Sequence, residues 1–236
     1  RPCPTIEEVY ETMEKAKGHL EYYEISNSKV KFKTKQRETN MKNGFVAKLI
    51  ADHIKPGKKY NYDLFINGIK IHRDYVMKFQ TQQLWKWRTD PPKVSFAIGS
   101  CNYVNEPEFD RPGRPYGSNF KIFNSINNKN PDFMLWLGDN IYLRETDWNS
   151  RTGFINRYSH SRAHPELQQL LASTHHYATW DDHDYGPNNS DGSFWLKKTS
   201  SEIFKLFWGN PNYDVIGNGG ITGFFQWGDL DFFLLD

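Results

Sequence analysis

The pattern of hydrophobic and polar positions changes near residue 90. Before it, apolar and polar residues alternate, as in "SKVKFKTKQRE", where Val30, Phe32 and Thr34 share one face and lysines the other. Such alternation predicts half-buried strands. Residues 45–54, 58–67 and 75–84 are three more strand candidates, with turn residues between or beside them. The segment from about residue 20 to 90 is therefore predicted to be a small antiparallel β-domain.

A helix is predicted ahead of these strands, over residues 5–24. Thr5 can cap its start, and Glu8 stands three residues later, as a capping box requires. At the other end, "TDPPK" at residues 89–93 predicts the domain boundary, because two consecutive prolines end regular structure.

Strands and helices alternate after this boundary. The strand candidates are "KVSFAIGSC", ending at Gly99, "DFMLWLGD", "HHYATWDDHD", ending at Trp180, and the closing pair "GFFQWG" and "LDFFLLD". The helix candidates are "HPELQQLLAS", "KKTSSEIFKLFWG", stopped by Gly209, and "GSNFKIFNSINN", with Ser118 as cap and Phe120, Ile122, Phe123 and Ile126 as core positions. This alternation predicts βαβ units and the α/β class, in which ligands bind at the carboxyl ends of strands.

Four of these strands end in polar residues that can bind metals. Cys101 follows the first strand, Asp139 and Tyr142 the second, residues 181–184 (including His183) the third, and Asp236 the last. Carboxylates brought together repel, and their burial is costly unless cations neutralise them. The sequence therefore predicts a metal cluster at this edge of the sheet.

The donor types favour two different cations. Carboxylates suit hard ions such as Ca²⁺, whereas a thiolate beside a phenolate suits a more Lewis-acidic metal such as Fe³⁺. Each residue alone also has an ordinary structural interpretation: helix cap for an Asp, core residue for Tyr142 or His183, small buried apolar residue for Cys101. The hypothesis depends on four separate strand ends that point to the same chemistry.

Composition excludes several classes of protein. Of the 236 residues, 16% are aromatic, which is unlike a disordered chain. A net charge of +2 gives no argument for nucleic acid or an anionic membrane as partner. No apolar run approaches the roughly 18 residues of a membrane span. The cysteines Cys3 and Cys101 leave open a disulfide, and Cys3 could instead be the remnant of a lipid-anchored end.

Two further motifs fail on inspection. "GNGGITG" resembles a nucleotide-binding loop, but Thr222 stands where the third glycine belongs, so a turn is predicted. "DWNSRTGF" resembles a calcium loop, but Arg151 occupies a ligand position and the glycine falls one place late.

Taken together, "GSC", "LGDNIY", "DDHD" and the terminal "LLD" resemble the PhoD-like (alkaline phosphatase D) metallophosphoesterases, in motif order and strand context, over roughly residues 93–236. The resemblance implies a four-layer α/β sandwich around two facing sheets, with a small immunoglobulin- or fibronectin-like domain before it. The expected domains are residues 1–90, with the helix and β-domain, and residues 91–236, with the catalytic domain. Because the family continues past its equivalent of Asp236, the C-terminal part of that domain is expected to be missing here.

The resemblance also assigns roles. It implies that Cys101 and Tyr142 bind Fe³⁺, and that Asp139 bridges Fe³⁺ and Ca²⁺. Asp182 would bind on the calcium side, and Asp236 would be a further ligand. His183 would contact the phosphate or protonate the leaving oxygen. The neighbouring Asp181, Asp184, Asn188 and Asn189 have no firm assignment, and Asn188 also opens a glycosylation sequon.

The expected reaction is hydrolysis of phosphate mono- and diesters, with an oxygen nucleophile at an iron–calcium site. Two alternatives stay open: a phospholipase D-type phosphodiesterase on the same metals, and a non-enzymatic surface-binding protein with an incomplete site. A secreted, periplasmic or cell-envelope location is predicted on two grounds. One is the resemblance, and the other is that the sequence starts without Met, as a processed chain does.

Overall fold

A computed structural model describes residues 15–236 of the chain. The described residues form two compact units. The first comprises the chain up to Val94 together with Trp227–Leu230, and the second comprises Ser95–Gln226 and Asp231–Asp236.

The first unit is built on an antiparallel sheet. Its strands are β1 (Lys17–Glu24), β2 (Phe32–Lys33), β3 (Arg37–Glu38), β4 (Lys59–Ile66), β5 (Ile69–Lys70) and β6 (Lys78–Gln80), with short 3-10 turns at Ile25–Asn27 and Met41–Asn43. The order is β2-β1-β4-β5, with β3 beside β1 and β6 beside β4. Tyr22 and Tyr60 are buried side by side in its core, and the Tyr60 ring stacks on Phe79 at 5.0 Å.

The predicted helix over residues 5–24 is wrong where the structure describes it. Lys17–Glu24 is strand β1, which pairs with β4 from Gly18 opposite Ile66 to Glu24 opposite Tyr60. Tertiary pairing along the whole segment overrides its helical pattern, because intrinsic propensity is a weak preference. Residues 5–14, including Thr5 and Glu8, lie outside the described part of the chain.

The strand predicted over residues 45–54 is also wrong, because this segment has no strand structure. Its main chain is held by tyrosine hydroxyls. The N–H of His53 donates to the Tyr22 hydroxyl at 2.9 Å. Just after this segment, the N–H of Lys55 donates to the Tyr60 hydroxyl at 2.8 Å. These side-chain acceptors take the place of a neighbouring strand's carbonyls. The alternating stretch around Phe32 forms two strands of two residues each, β2 and β3.

The second unit has the α/β arrangement that the sequence predicts. β7 (Phe96–Gly99), β8 (Phe133–Leu137) and β9 (His175–Thr179) form a parallel sheet in that order, and β10 (Gly223–Trp227) pairs with β11 (Leu230–Leu234). The helices are α1 (Lys121–Asn128), α2 (Arg151–Arg162), α3 (Pro165–Ser173), α4 (Asp182–Tyr185) and α5 (Lys197–Phe207), with a 3-10 turn at Pro107–Phe109. The mixed α/β class is confirmed, while the four-layer sandwich and the immunoglobulin-like domain stay predictions.

Strand β8 separates two layers of packing. Successive side chains of a strand point to opposite faces of the sheet. On one face, the Trp136 ring lies 6.3 Å from Phe123 of α1 and 5.5 Å from Trp208, which follows α5. On the other, Phe133 packs edge-to-face on Phe225 of β10 at 5.6 Å. This buried centre fixes the carboxyl ends of β7, β8 and β9, where the polar loops begin.

Helix α1 departs from the prediction at its start. Ser118 does not cap it, because the helix begins at Lys121 and its N-cap position is Phe120, which makes no capping side-chain bond. Ile122 is not a core residue, since it is 61% exposed, whereas Phe123 is buried.

Helix α2 was not predicted at all. Its buried face mixes apolar residues with Arg157 and Ser161, so the sequence shows no clear 3.6-residue period. Ser150 caps its start by accepting the N–H of Gly153 at 3.1 Å. Across the described residues, every helix is too short or too polar to cross a membrane.

Candidate metal centre

Three loops meet where the parallel sheet ends. The first carries Cys101 after β7 and the second carries Asp139 after β8, while the third leads from β9 into the short helix α4 with Asp182 and His183. The first two run side by side, because Asn102 N–H donates to the Asp139 carbonyl at 2.8 Å. The third joins the second through Leu143 N–H, which donates to the His183 carbonyl at 3.3 Å. Parallel neighbours thus bring these residues to one edge.

Asp139, Asp182 and His183 can offer ligand atoms that all lie within 4.8 Å of one another. Asp139 is the buried member, at 9% exposure. Its Oδ2 accepts the Tyr142 hydroxyl at 2.8 Å, and the Cys101 Sγ lies 3.8 Å from the same oxygen. The structure therefore gathers five of the six predicted site residues around one carboxylate.

The other oxygen of Asp139 carries the strongest indication of a cation. Oδ1 is buried and has no hydrogen-bond partner among the described residues. An unpaired buried carboxylate oxygen costs free energy, and a bound cation removes that cost. The donors around it are carboxylate, imidazole, phenol and thiol, a set that fits a metal ion.

Tyr142 is held as a neutral phenol in this arrangement. Burial raises its pKa above the ordinary value, and the neighbouring Asp139 and Cys101 raise it further. Its ring lies 4.3 Å from that of His183, tilted by 34°. A cation beside the phenol oxygen would oppose these effects, because positive charge favours the phenolate. The phenol is thus placed to become a ligand only when a cation is present.

The main chain around the centre adopts conformations that side chains disfavour. Cys101 and Asp139 have φ of 57° and 51°, in the left-handed region. Gly138 has φ of 99°, and a Cβ there would lie 2.7 Å from the Asp181 Cβ. Non-glycine residues in this region cluster at functional sites, where the surroundings hold them in place. Gly138 lets the β8 loop approach the β9 loop this closely.

Asp184 connects two of the loops from inside. This fully buried carboxylate accepts the Asn140 N–H through both oxygens at 3.1 Å, and its Oδ2 also accepts the Asp181 N–H at 3.1 Å. Burial raises the pKa of Asp184 to about 7. The sequence left this residue without an assignment, and the structure places it as the link between the Asp139 and Asp182 loops.

Asp236 stands apart from the cluster at Asp139. Its Oδ1 accepts the indole N–H of Trp180 at 2.6 Å, and its Oδ2 accepts the Ile221 N–H at 2.8 Å. It lines a cavity of about 610 Å³ together with Asp182. Asn189, another unassigned residue, donates its N–H to Asp182. Asp236 therefore lines the same cavity as Asp182 but is not part of the group formed by Asp139, Asp182 and His183.

Sequence reasoning missed two residues beside Cys101. The Asn102 side chain donates to the Asn140 carbonyl at 3.0 Å and to Ser161 at 3.1 Å, which ties the β7 loop to α2. The Tyr103 ring packs edge-on against Tyr142 at 4.9 Å. The only signal for either was its place directly after a proposed ligand. Cys101 itself is an exposed free thiol.

Comparison with known proteins bears on the family and the fold. Residues 96–205 match the family described as PhoD-like phosphatase, which confirms the resemblance seen in the motifs. No curated protein matches the sequence.

Solved structures show the same fold. A structure titled "Structure of PhoD" superposes with a TM-score of 0.68 at 19% identity over 94% of this chain. The purple acid phosphatase PPD1 from yellow lupin seeds gives 0.60 at 12% identity, also over 94%. The chain spans 45% and 41% of the lengths of these two proteins. At such identities, the likeness is one of fold.

Proposed function

We propose, from the confirmed resemblance to the PhoD-like phosphatases, that this protein hydrolyses phosphate esters with metal ions held at the edge of its parallel sheet. The observation that carries the proposal is the buried, unpartnered Oδ1 of Asp139 inside the group formed with Asp182 and His183. A cation there would satisfy the oxygen and attract the phosphate of an ester.

Two kinds of metal fit the residues present. Cys101, Tyr142 and Asp139 would hold Fe³⁺, because thiolate and phenolate together favour a strongly Lewis-acidic ion. Asp182 and Asp236, which line one cavity, would hold Ca²⁺ with carboxylate oxygens. When bound, such cations polarise phosphoryl oxygens and lower the pKa of water.

The protein's own residues would position the ester and move a proton. His183 would donate a proton to the leaving oxygen, a role that suits an imidazole near neutral pH. Its main chain is fixed by the Leu143 hydrogen bond, and its ring packs against Tyr142. Both monoesters and diesters are included in the proposal, as is a location outside the cytoplasm, which rests on the resemblance alone.

Elemental analysis, a visible spectrum and hydrolysis of p-nitrophenyl phosphate and bis-p-nitrophenyl phosphate test the proposal together. We expect iron and calcium, a coloured band that Tyr142→Phe removes, and hydrolysis that Asp139→Asn abolishes. Asp231→Asn is the matched control, because this exposed carboxylate accepts a hydrogen bond from Gln226 and is not among the proposed ligands. A folded protein that binds neither metal, with or without added Fe³⁺ and Ca²⁺, would refute the proposal and favour a binding protein.

A further inference from the structure

An apolar cavity of about 320 Å³ lies between the parallel sheet and helix α1. Ligand pockets for small molecules begin at roughly this volume, about 300 Å³. Its walls come from β7, β8 and α1, through Ile98, Met134, Trp136, Ile122, Phe123 and Ile126. Apart from residues 100–103 of the loop after β7, the lining is largely apolar, which suits a hydrocarbon group.

This cavity adjoins the metal centre. Cys101 and Tyr103 both line it. Cys101 Sγ lies 3.8 Å from Asp139 Oδ2, and the Tyr103 ring lies 4.9 Å from that of Tyr142. A molecule with a phosphate group at Asp139 would therefore have an apolar recess directly beside it.

One wall of the cavity leaves apolar surface in contact with water. Ile122 of α1 is 61% exposed. Removing such surface from water is favourable and needs no directional contact. An apolar group that enters the cavity would cover this side chain.

We propose that this cavity binds the apolar group of the substrate, so that the preferred phosphate esters carry an alkyl or aryl chain. The phosphate would lie at Asp139 and Asp182, and the chain would extend past Cys101 and Tyr103 between Trp136 of β8 and Ile122 of α1. This inference rests on the proposed function, since it assigns the substrate class of the same site.

Binding and turnover are measured separately. Calorimetry with the metal-loaded protein compares ethylphosphonate with octylphosphonate, which cannot be hydrolysed as esters. Octylphosphonate should bind at least about tenfold more tightly, because each buried methylene adds to affinity. Ethyl and octyl phosphate, compared by phosphate release, should show the same preference in kcat/KM.

Ile122→Ser should reduce this preference to about threefold or less, since it replaces an apolar wall by a polar side chain. Ile126→Ser, one turn further along α1, should do the same independently, because Ile126 also lines the cavity. Ile216→Ser is the matched control, because Ile216 is 66% exposed and does not line the cavity. Urea unfolding of each variant excludes a loss of fold as the cause.

The outcomes separate this inference from the proposed function. If both esters are hydrolysed without any chain-length preference, the cavity assignment is wrong and the hydrolase stands. If octylphosphonate binds more tightly through Ile122 but no ester is hydrolysed, the hydrolase is wrong and the cavity stands. A preference that survives both serine variants, or a self-association that both variants abolish, would overturn the assignment.

Discussion

Asp184 and Asn140 are joined by a pair of hydrogen bonds, because both carboxylate oxygens of Asp184 accept the Asn140 main-chain N–H at 3.1 Å. Asp184 belongs to the short helix α4 after β9 and Asn140 to the loop after β8, so this contact holds the two acidic segments in register. Neither residue is among the proposed ligands. The positions of the proposed ligands Asp139 and Asp182 therefore depend on the buried carboxylate of Asp184.

Replacing Asp184 by Asn should destabilise the protein by about 1–3 kcal/mol. The amide can place its oxygen where Oδ2 accepts Asp181 and Asn140, but its NH₂ then faces the Asn140 N–H, donor against donor. Metal affinity should fall about 10- to 100-fold, as for other groups that orient ligands. Urea unfolding and a metal titration measure the two effects.

Asp231→Asn is the control for this substitution. Asp231 is an exposed carboxylate that accepts a hydrogen bond from Gln226, so its loss should change stability by less than about 0.5 kcal/mol. An Asp184→Asn protein as stable as this control, with unchanged metal affinity, would show that the loops need no such link.

Gly138→Ala should disrupt the centre, whereas Gly113→Ala should not. Both glycines have positive φ, at 99° and 86°, so both substitutions introduce strain of about 1–3 kcal/mol. Only Gly138 adds a collision, since its new Cβ would lie 2.7 Å from the Asp181 Cβ, while nothing lies within 4 Å at Gly113.

Unfolding in urea and a titration with Fe³⁺ or Ca²⁺ compare the two glycine variants. Gly138→Ala should lose more stability than Gly113→Ala and should also lose metal affinity. Equal losses in both proteins would mean that the close approach of the two loops contributes nothing to the site.

These contacts show what sequence reasoning could reach. Parallel neighbours must end at one edge, so the predicted strands alone place Cys101, Asp139 and Asp182 near one another. The carboxylate of Asp184 could not be assigned in this way. Its role depends on which main-chain N–H groups converge on it, and that is a property of two loops folded together.

The missed elements have the same kind of cause. Helix α2 buries Arg157 along with apolar residues. Its apolar residues therefore do not recur with the 3.6-residue period that predicts a helix. Strand β1 has a helical pattern in isolation and becomes a strand because β4 pairs with its whole length. In each case a partner distant in sequence decides the structure, and a local pattern contains no information about that partner.

Arg157→Met should destabilise the protein by about 3–5 kcal/mol. The Arg157 Nε lies 2.7 Å from Asp147 Oδ2, and its Nη2 lies 3.1 Å from Glu106 Oε1. Both Arg157 and Asp147 are almost completely buried, so the variant would leave the Asp147 carboxylate charged and without its cation.

Arg151→Met provides the comparison within the same helix. Arg151 pairs with Glu202 at 2.6 Å, but this pair is largely exposed and its loss should cost at most about 1 kcal/mol. Denaturant unfolding of both variants measures the difference. If Arg157→Met costs no more than Arg151→Met, the buried pair of Arg157 and Asp147 does not stabilise the fold.

His176 should make the protein sensitive to mild acid. Trp136 donates its indole N–H to His176 Nδ1 at 3.0 Å, and His176 Nε2 lies 3.1 Å from the Leu170 carbonyl, so the neutral ring donates from Nε2. Protonation of Nδ1 would break the Trp136 bond. Burial lowers the pKa of His176 to about 4 from 6.5.

The unfolded chain binds this proton more readily than the folded protein, so stability is complete above pH 6.5 and falls as the pH drops toward 4. The loss attributable to His176 should approach roughly 3 kcal/mol at the lower limit. Urea unfolding at several pH values should show a shallower decline for His176→Gln than for the native protein, with His72→Gln, an exposed histidine, as control. Parallel pH profiles for the native protein and His176→Gln would mean that the ring is protonated without penalty in the folded state.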